Sequence, residues 1–425
     1  MEFAIIQIFI VVLSVTAAGL CLMKIGQPPM VGYILAGVFL GPSCTKFVQN
    51  EPFIEMLADM GIMFLLFTIG LTISVEKIKS VWKVGIGTII IGGVAFGGIF
   101  FILGYLFGWS KEFILIATFC SIPSSTAVTV KSLGKIKNIS ESISTVTIGI
   151  LILQDIVSLF LIIAVYFLEP TTVFTNTFDS KFIATIVLFF VLILLCIVYK
   201  KQIYRFLDYL KDQTDILAAC TVTFCLGGAS LAIYFGTSAA FGSFVAGLIL
   251  GNSPIKESLQ KSTVIIEELL LLVFFLSIGL IVDLGYMFRN LLPLLISVLS
   301  VAIVKTFVNI VLLRFFKLNL KDAFISGVLL GHFGEFAFVL VSAGMKAGVL
   351  DDASKDFLIA LTALSLSFSP FWLVIAERGR VLSEGGSVNT LRQMVKMTLK
   401  NEYSVFINVL TYIRSEVLNK IKYKK

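Results

Sequence analysis

The chain has 425 residues, is 58% hydrophobic and 14% charged, and carries a net charge of +7. A soluble fold of that length has too little interior to hide so much apolar surface, whereas lipid tails solvate apolar side chains directly. The positive charge sits in short loops between apolar runs, which reads as membrane topology and excludes a nucleic-acid partner.

In lipid every backbone polar group must be satisfied internally, so only helices or closed barrels can span. Runs such as Ile183–Tyr199 are too long and continuous for barrel strands. The expectation is an all-α polytopic membrane protein with about thirteen transmembrane helices. In chain order the spans lie near 3–23, 29–45, 53–74, 84–107, 112–133, 141–168, 181–199, 214–235, 237–252, 262–282, 291–316, 322–346 and 355–376. The first lacks a basic leader and a small-residue cleavage site, so it is expected to be retained. Gly92, Gly93, Gly97 and Gly98 fall inside the fourth span and read as helix packing, not a phosphate cradle. None of the six cysteines forms a CxxC pair, and they read as small apolar fillers. Residues 1–376 form the transporter domain. Residues 377–425 form a basic tail with ten Lys or Arg, which reads as an amphipathic inner-face helix or a docking segment for a regulatory partner.

With the N-terminus outside, the inner loops carry sixteen basic residues and the outer loops six. That alternation supports thirteen spans and a cytoplasmic C-terminus.

Chemistry concentrates in few places, because an ionisable group inside a span costs about 3 kcal/mol or more. Asp59, Glu267, Glu268 and Asp283 lie nearer span ends and read as solvated. Deeper lie Asp155, Lys305, His332 and Glu335. Asp155 sits in an aliphatic stretch after Gln154. A carboxylate there can hold either a proton or a metal ion, and competition at one group is the minimal physics of antiport. Two helices are interrupted. Ser121-Ile122-Pro123-Ser124-Ser125-Thr126 breaks the fifth span, since Pro123 removes a backbone donor. Gly331-His332-Phe333-Gly334-Glu335 breaks the twelfth. Paired breaks at corresponding positions of two halves mark a transporter site. Spans four to six (plain, broken, Asp-bearing) match eleven to thirteen and enter from opposite sides, which makes an inverted repeat. Lys305 needs a partner, with Asp155, Glu335 and the dipoles of the breaks as candidates. His332 is a candidate for pH sensing, or a hydrogen-bonding filler at the break.

Six motifs in order carry a resemblance. They are Gly26-Gln27-Pro28-Pro29-Met30-Val31-Gly32-Tyr33 with Leu40-Gly41-Pro42; Phe64-Leu65-Leu66-Phe67-Thr68-Ile69-Gly70; Pro123-Ser124-Ser125-Thr126; Gln154-Asp155; Ala240-Phe241-Gly242-Ser243-Phe244; and Gly334-Glu335-Phe336-Ala337-Phe338. Over about residues 3–376 the chain resembles the Kef-type monovalent cation:proton antiporters, potassium-efflux branch. The resemblance implies a homodimer in a bacterial-type inner membrane and the cation/proton antiporter fold. That fold has dimer and core subdomains, two crossing discontinuous helices and an elevator-like motion. It implies Asp155 as the shared ion and proton carrier, with Gln154, Ser125 and Thr126 beside it and Lys305 and Glu335 as core support or charge partners. The expected cargo is K⁺, with Na⁺ as the other candidate, exchanged for H⁺ in the service of pH homeostasis. Gln154 in place of a second aspartate implies electroneutral exchange. The nucleotide-binding regulatory domain of that branch is not expected here. Neither are a cofactor and an enzymatic activity, since no His/Glu metal motif or Ser–His pair is present. A gated cation channel and a sensor-type component remain alternatives on the same scaffold.

Overall fold

The computed structural model describes residues 2–24, 29–48, 51–72, 75–136, 141–166, 213–234, 239–253, 255–368, 371–372 and 374–377, with 168, 205 and 209. The expected span 181–199 and tail residues 378–425 lie outside the described residues. The described elements are helical: α1 (Glu2–Lys24), α2 (Pro29–Leu40), α3 (Glu51–Thr72), α4 (Val75–Phe107), α5 (Lys111–Ser121), α6 (Thr126–Lys135), α7 (Glu141–Tyr166), α8 (Thr214–Tyr234), α9 (Ala239–Gly251), α10 (Lys256–Ile281), α11 (Leu284–Arg289), α12 (Leu291–Phe315), α13 (Leu320–Leu329), α14 (Phe336–Lys346) and α15 (Asp352–Ser367). Five helices among the described residues are long and apolar enough to cross a bilayer, and shorter apolar helices accompany them. The fold is that of a polytopic α-helical membrane protein.

Every other expected span coincides with one helix or with a pair of half-helices. The fifth is α5 plus α6 and the twelfth is α13 plus α14, so both interruptions fall where Pro123 and the Gly331–Gly334 stretch put them. Two details differ from expectation. A short helix, α11, lies between the tenth and eleventh spans, started by Asp283, whose Oδ1 accepts the Tyr286 N–H at 3.1 Å. And α10 begins at Lys256 rather than near 262, so Glu267 and Glu268 fall midway along the helix and not at its end.

Local signals explain the boundaries. Ser110, Asn319 and Asp351 cap α5, α13 and α15, each side-chain oxygen accepting a backbone N–H three residues on. After α4 and α14 the chain turns through Gly108 (φ 71°) and Gly348 (φ 66°), left-handed positions at which a Cβ would be strained.

The helices sort into two groups by packing. In the first, α3 lies against α9 and α10, α2 against α1 and α10, and α8 against α9. Here backbones touch. A Cβ on Gly247 would lie 2.0 Å from the Phe67 carbonyl oxygen, and one on Gly279 would lie 2.1 Å from that of Ile34. In the second group, α4 packs on α5, α7 and α12, α12 on α13, and α14 on α5, α7 and α15. We call these the glycine bundle and the crossing bundle. The connecting helix α11 rests on α12 and α15 of the second. Between the bundles, Phe274 of α10 meets Phe338 of α14 edge to face at 6.3 Å, and Lys346 of α14 pairs with Asp59 of α3.

Candidate functional site: the crossing of two broken helices

The two breaks cross in the crossing bundle. Ser124 Oγ donates to the Leu330 carbonyl at 2.9 Å, and Gly334 presses on the backbone of Pro123 and Ser124, where a Cβ would sit 2.9 Å from the Ser124 carbonyl carbon. Only glycine admits that approach, which explains the Gly334-Glu335 pair in sequence.

Broken helices bring four helix ends to one place. The C-terminal ends of α5 and α13 carry partial negative charge and unpaired carbonyls. Lys305 of α12 meets them. Its Nζ donates to the carbonyls of Ser121 (2.7 Å), Pro123 (2.6 Å) and His332 (3.0 Å). The side chain is 1% exposed, and these three bonds use all three ammonium protons. Of the partners weighed from sequence, the dipoles of the crossing are the ones Lys305 takes.

The N-terminal ends of α6 and α14 carry partial positive charge, and the carboxylates lie there. Thr126, the first residue of α6, donates its hydroxyl to Asp155 Oδ2 at 2.9 Å. Asp155 is 3% exposed, and its Oδ1 takes no hydrogen bond from any described residue. Glu335, at the N-cap of α14, is a second buried carboxyl at the crossing, 5% exposed. Thr126 itself is only partly buried.

The other expected ligands hold the break. Gln154 Oε1 accepts the Ser124 N–H at 3.0 Å, and Ser125 Oγ accepts the Val128 N–H at 3.3 Å as the cap of α6. His332 ties the two breaks together. Its Nδ1 is 3.4 Å from the Ser125 N–H and 3.1 Å from the Phe333 carbonyl, and its Nε2 is 3.3 Å from Thr129 Oγ1. Thr129 donates its one proton to the Leu329 carbonyl at 3.0 Å. With the ring proton on Nε2 the ring serves Ser125 and Thr129, and with the proton on Nδ1 it serves the Phe333 carbonyl instead.

Sequence reasoning missed Thr129, Thr306 and Asn309, since lone hydroxyls and amides in an apolar span give no distinct signal. Thr306 Oγ1 and Asn309 Nδ2 make no hydrogen bond with described residues. Their only hint was position, one and four residues beyond Lys305. Among the described residues no group of three or more His, Cys, Asp or Glu could hold a metal ion.

A family model described as the transmembrane sodium/hydrogen exchanger matches residues 9–376. The chain belongs to the sodium/hydrogen exchanger family. Its relatives carry different names. The iron transporter MagA of Paramagnetospirillum magneticum is 32% identical over 87% of this chain and 85% of its own. The K(+) efflux antiporter 5 of Arabidopsis thaliana is 32% identical over 86% of this chain and 65% of its own. A glutathione-regulated potassium-efflux system protein of Haemophilus influenzae is 28% identical over 91% and 62%. The chain thus spans less than two thirds of the length of the two potassium-efflux relatives. The sodium proton antiporter MjNhaP1 of Methanocaldococcus jannaschii shares the fold, with a TM-score of 0.66 at 16% identity over 90% of this chain and 99% of that one.

Proposed function

We propose that this protein exchanges a monovalent cation, K⁺ in preference to Na⁺, for H⁺, with Asp155 as the carrier that both ions share. The observation that carries the reading is the state of Asp155: a buried carboxyl at a helix N-terminus, one oxygen held by Thr126 and the other free of described hydrogen bonds. Such a group can release a proton only when something positive replaces it, because a lone buried charge is costly. Thr126 and Oδ1 offer the replacement ion oxygen ligands. Lys305 fixes the opposite ends of the same breaks through its three carbonyl bonds.

On this reading the crossing bundle is the mobile core and the glycine bundle the dimer-forming scaffold in an elevator-like cycle. The N-terminus lies outside the plasma (inner) membrane, and the tail from 377 faces the cytoplasm, where it can take a regulatory partner. With Gln154 neutral, one proton per cation gives electroneutral exchange that serves pH homeostasis.

The test is proton flux in proteoliposomes driven by K⁺ or Na⁺ gradients at several clamped voltages, for the native chain and for Asp155→Asn. Voltage-independent, K⁺-driven flux that vanishes in the variant is the expected result. Flux that follows voltage, at about 2.3 kcal/mol per charge per 100 mV, removes the electroneutral mechanism. Survival of flux in Asp155→Asn removes the carrier.

A second reading is favoured by one observation each from comparison and geometry. The relative from Paramagnetospirillum is named an iron transporter, and Glu335, at the N-cap of the second broken helix, is a second buried carboxyl at the crossing. Two carboxylates suit a divalent ion better than one does. An Fe²⁺ gradient in the same vesicles decides between them.

A further inference from the structure

Lys346 is the last residue of α14, in the crossing bundle, and Asp59 lies on α3, in the glycine bundle. Lys346 Nζ donates to both carboxylate oxygens of Asp59, at 2.8 and 2.9 Å. The two residues are 287 positions apart in sequence. We propose that this ion pair is a releasable latch between the two bundles, closed in the conformation described here and broken once in each transport cycle. The proposal rests on the exchange reading above and adds to it a named gate.

Three observations carry it. The first is position. α14 follows its N-cap Glu335 at the crossing that holds Asp155 and ends at Lys346, a rigid rod about 16 Å long. A displacement of the carrier site relative to the scaffold must therefore move Lys346 relative to Asp59.

The second is the contrast with the other contacts. One helical stretch inward on α14, Phe338 meets Phe274 of α10, an apolar contact that can slide without a defined broken state. An ion pair held through two hydrogen bonds is directional and is either made or broken. Nearby, Lys355 pairs with Asp352 and Asp356 of its own helix, α15, and those two pairs do not link the bundles.

The third is exposure. The Lys346 and Asp59 side chains are 52% and 48% exposed. A buried pair would impose a heavy penalty on opening, because each charge would be stranded in apolar surroundings. A half-exposed pair is rehydrated as it opens, so it biases the two conformations by at most about fivefold in population. That suits a step repeated every cycle. Both residues lie on the face away from the lysine-rich loops, so the latch closes the outer side.

Two variants test this in the full chain in proteoliposomes, with K⁺-driven proton flux as the readout. In the first, Asp59→Cys and Lys346→Cys are combined and bridged through two disulfides by a bis-methanethiosulfonate reagent about as long as the lysine side chain and carboxylate together. The single-cysteine chains serve as controls for Cys21 and Cys44, which are exposed. Bridging is expected to arrest flux, and reductant to restore it. In the second, Asp59→Lys and Lys346→Asp are made singly and together. Each single variant is expected to shift the apparent K⁺ affinity in opposite directions on the two membrane faces, by up to about fivefold. The charge-swapped double variant should return to within about twofold of native. A bridged chain that exchanges at the unbridged rate, or single variants whose effects simply add in the double, overturns the latch while leaving the exchanger reading intact. A native chain that moves no protons before bridging refutes the exchanger reading and the latch with it.

Discussion

The glycine bundle and the crossing bundle are both apolar helical bodies, yet their interiors are built on opposite principles. In the glycine bundle, helices approach until backbone meets backbone, and the buried polar groups Thr221, Thr263 and Ser277 return their hydroxyl protons to carbonyls of their own helix. Those three hydroxyls carry no charge to rearrange, and the backbone-to-backbone packing leaves the helices little room to shift. In the crossing bundle two helices stop halfway and leave unpaired carbonyls and N–H groups in the interior. Lys305, Asp155, Glu335 and His332 exist there because those ends exist. One body resists change and the other holds charges whose balance can change.

Substitutions can break or sharpen that contrast. The largest effect is expected from Asp155→Asn. It should silence proton flux in vesicles while the melting temperature stays within a few degrees of native, since the amide keeps the bond to Thr126. A variant that fails to fold would mean that Asp155 holds the bundle together rather than serving it.

Gly247→Leu attacks the other body. A Cβ there meets the Phe67 carbonyl at 2.0 Å, and the helices must part. A loss of at least about 3 kcal/mol, read as a fall in thermal stability in detergent, is expected, together with loss of flux. Retained stability would show that the bundle is more plastic than its packing implies.

Lys305→Met should cost on the order of 2–3 kcal/mol, because three buried carbonyls lose their donor at once. Flux should fall with it. The Lys305→Met, Asp155→Asn double variant sharpens the point. If the lysine serves the helix ends, as its three bonds indicate, the stability loss is the same with or without Asp155.

His332→Gln is a smaller change, about 1 kcal/mol, because a glutamine can restore part of the link between Ser125 and Thr129. With the ring neutral, the pH profile of exchange should keep its shape. A flattened acid limb would make His332 the pH-responsive group.

The smallest effect belongs to Asp351→Ala, about 1 kcal/mol or less, from loss of the α15 cap. The Asp351 carboxyl is held below its usual range by hydrogen bonds from the Ser354 side chain and N–H. A depressed carboxyl stabilises above its unfolded-state value and loses that contribution as pH falls through the folded one. The difference between native and Asp351→Ala should therefore shrink in acid and persist at neutral pH. Melting curves at both pH values check it.

Much of this was legible before any coordinates. Apolar runs of bilayer length can hardly be anything but membrane helices, so the spans followed from hydropathy alone. Pro123 and the Gly331–Gly334 stretch announced the breaks, because proline and clustered glycine act on the chain locally. Asp155, Lys305 and Glu335 stood out because lipid makes every buried charge conspicuous. Less legible was the start of α10, where polar residues ahead of the apolar run continue the helix into the face of the membrane. Nor was α11 foreseen; six residues with no periodic pattern take their helical form from the Asp283 cap.

What sequence determined, then, is the list of parts: helices, their interruptions, and the few charges they carry. These are local or compositional properties, fixed by hydrophobicity, by backbone restriction and by the cost of charge in lipid. What only the tertiary structure decided is which part answers which. Lys305 had three plausible partners and takes the carbonyl ends, Gln154 and Ser125 hold the break rather than stand open beside Asp155, and Asp59 reaches Lys346 across 287 positions. Those choices depend on where two crossing helices leave their ends, and a hydrogen bond is decided by distances of a few tenths of an ångström that no one-dimensional pattern encodes.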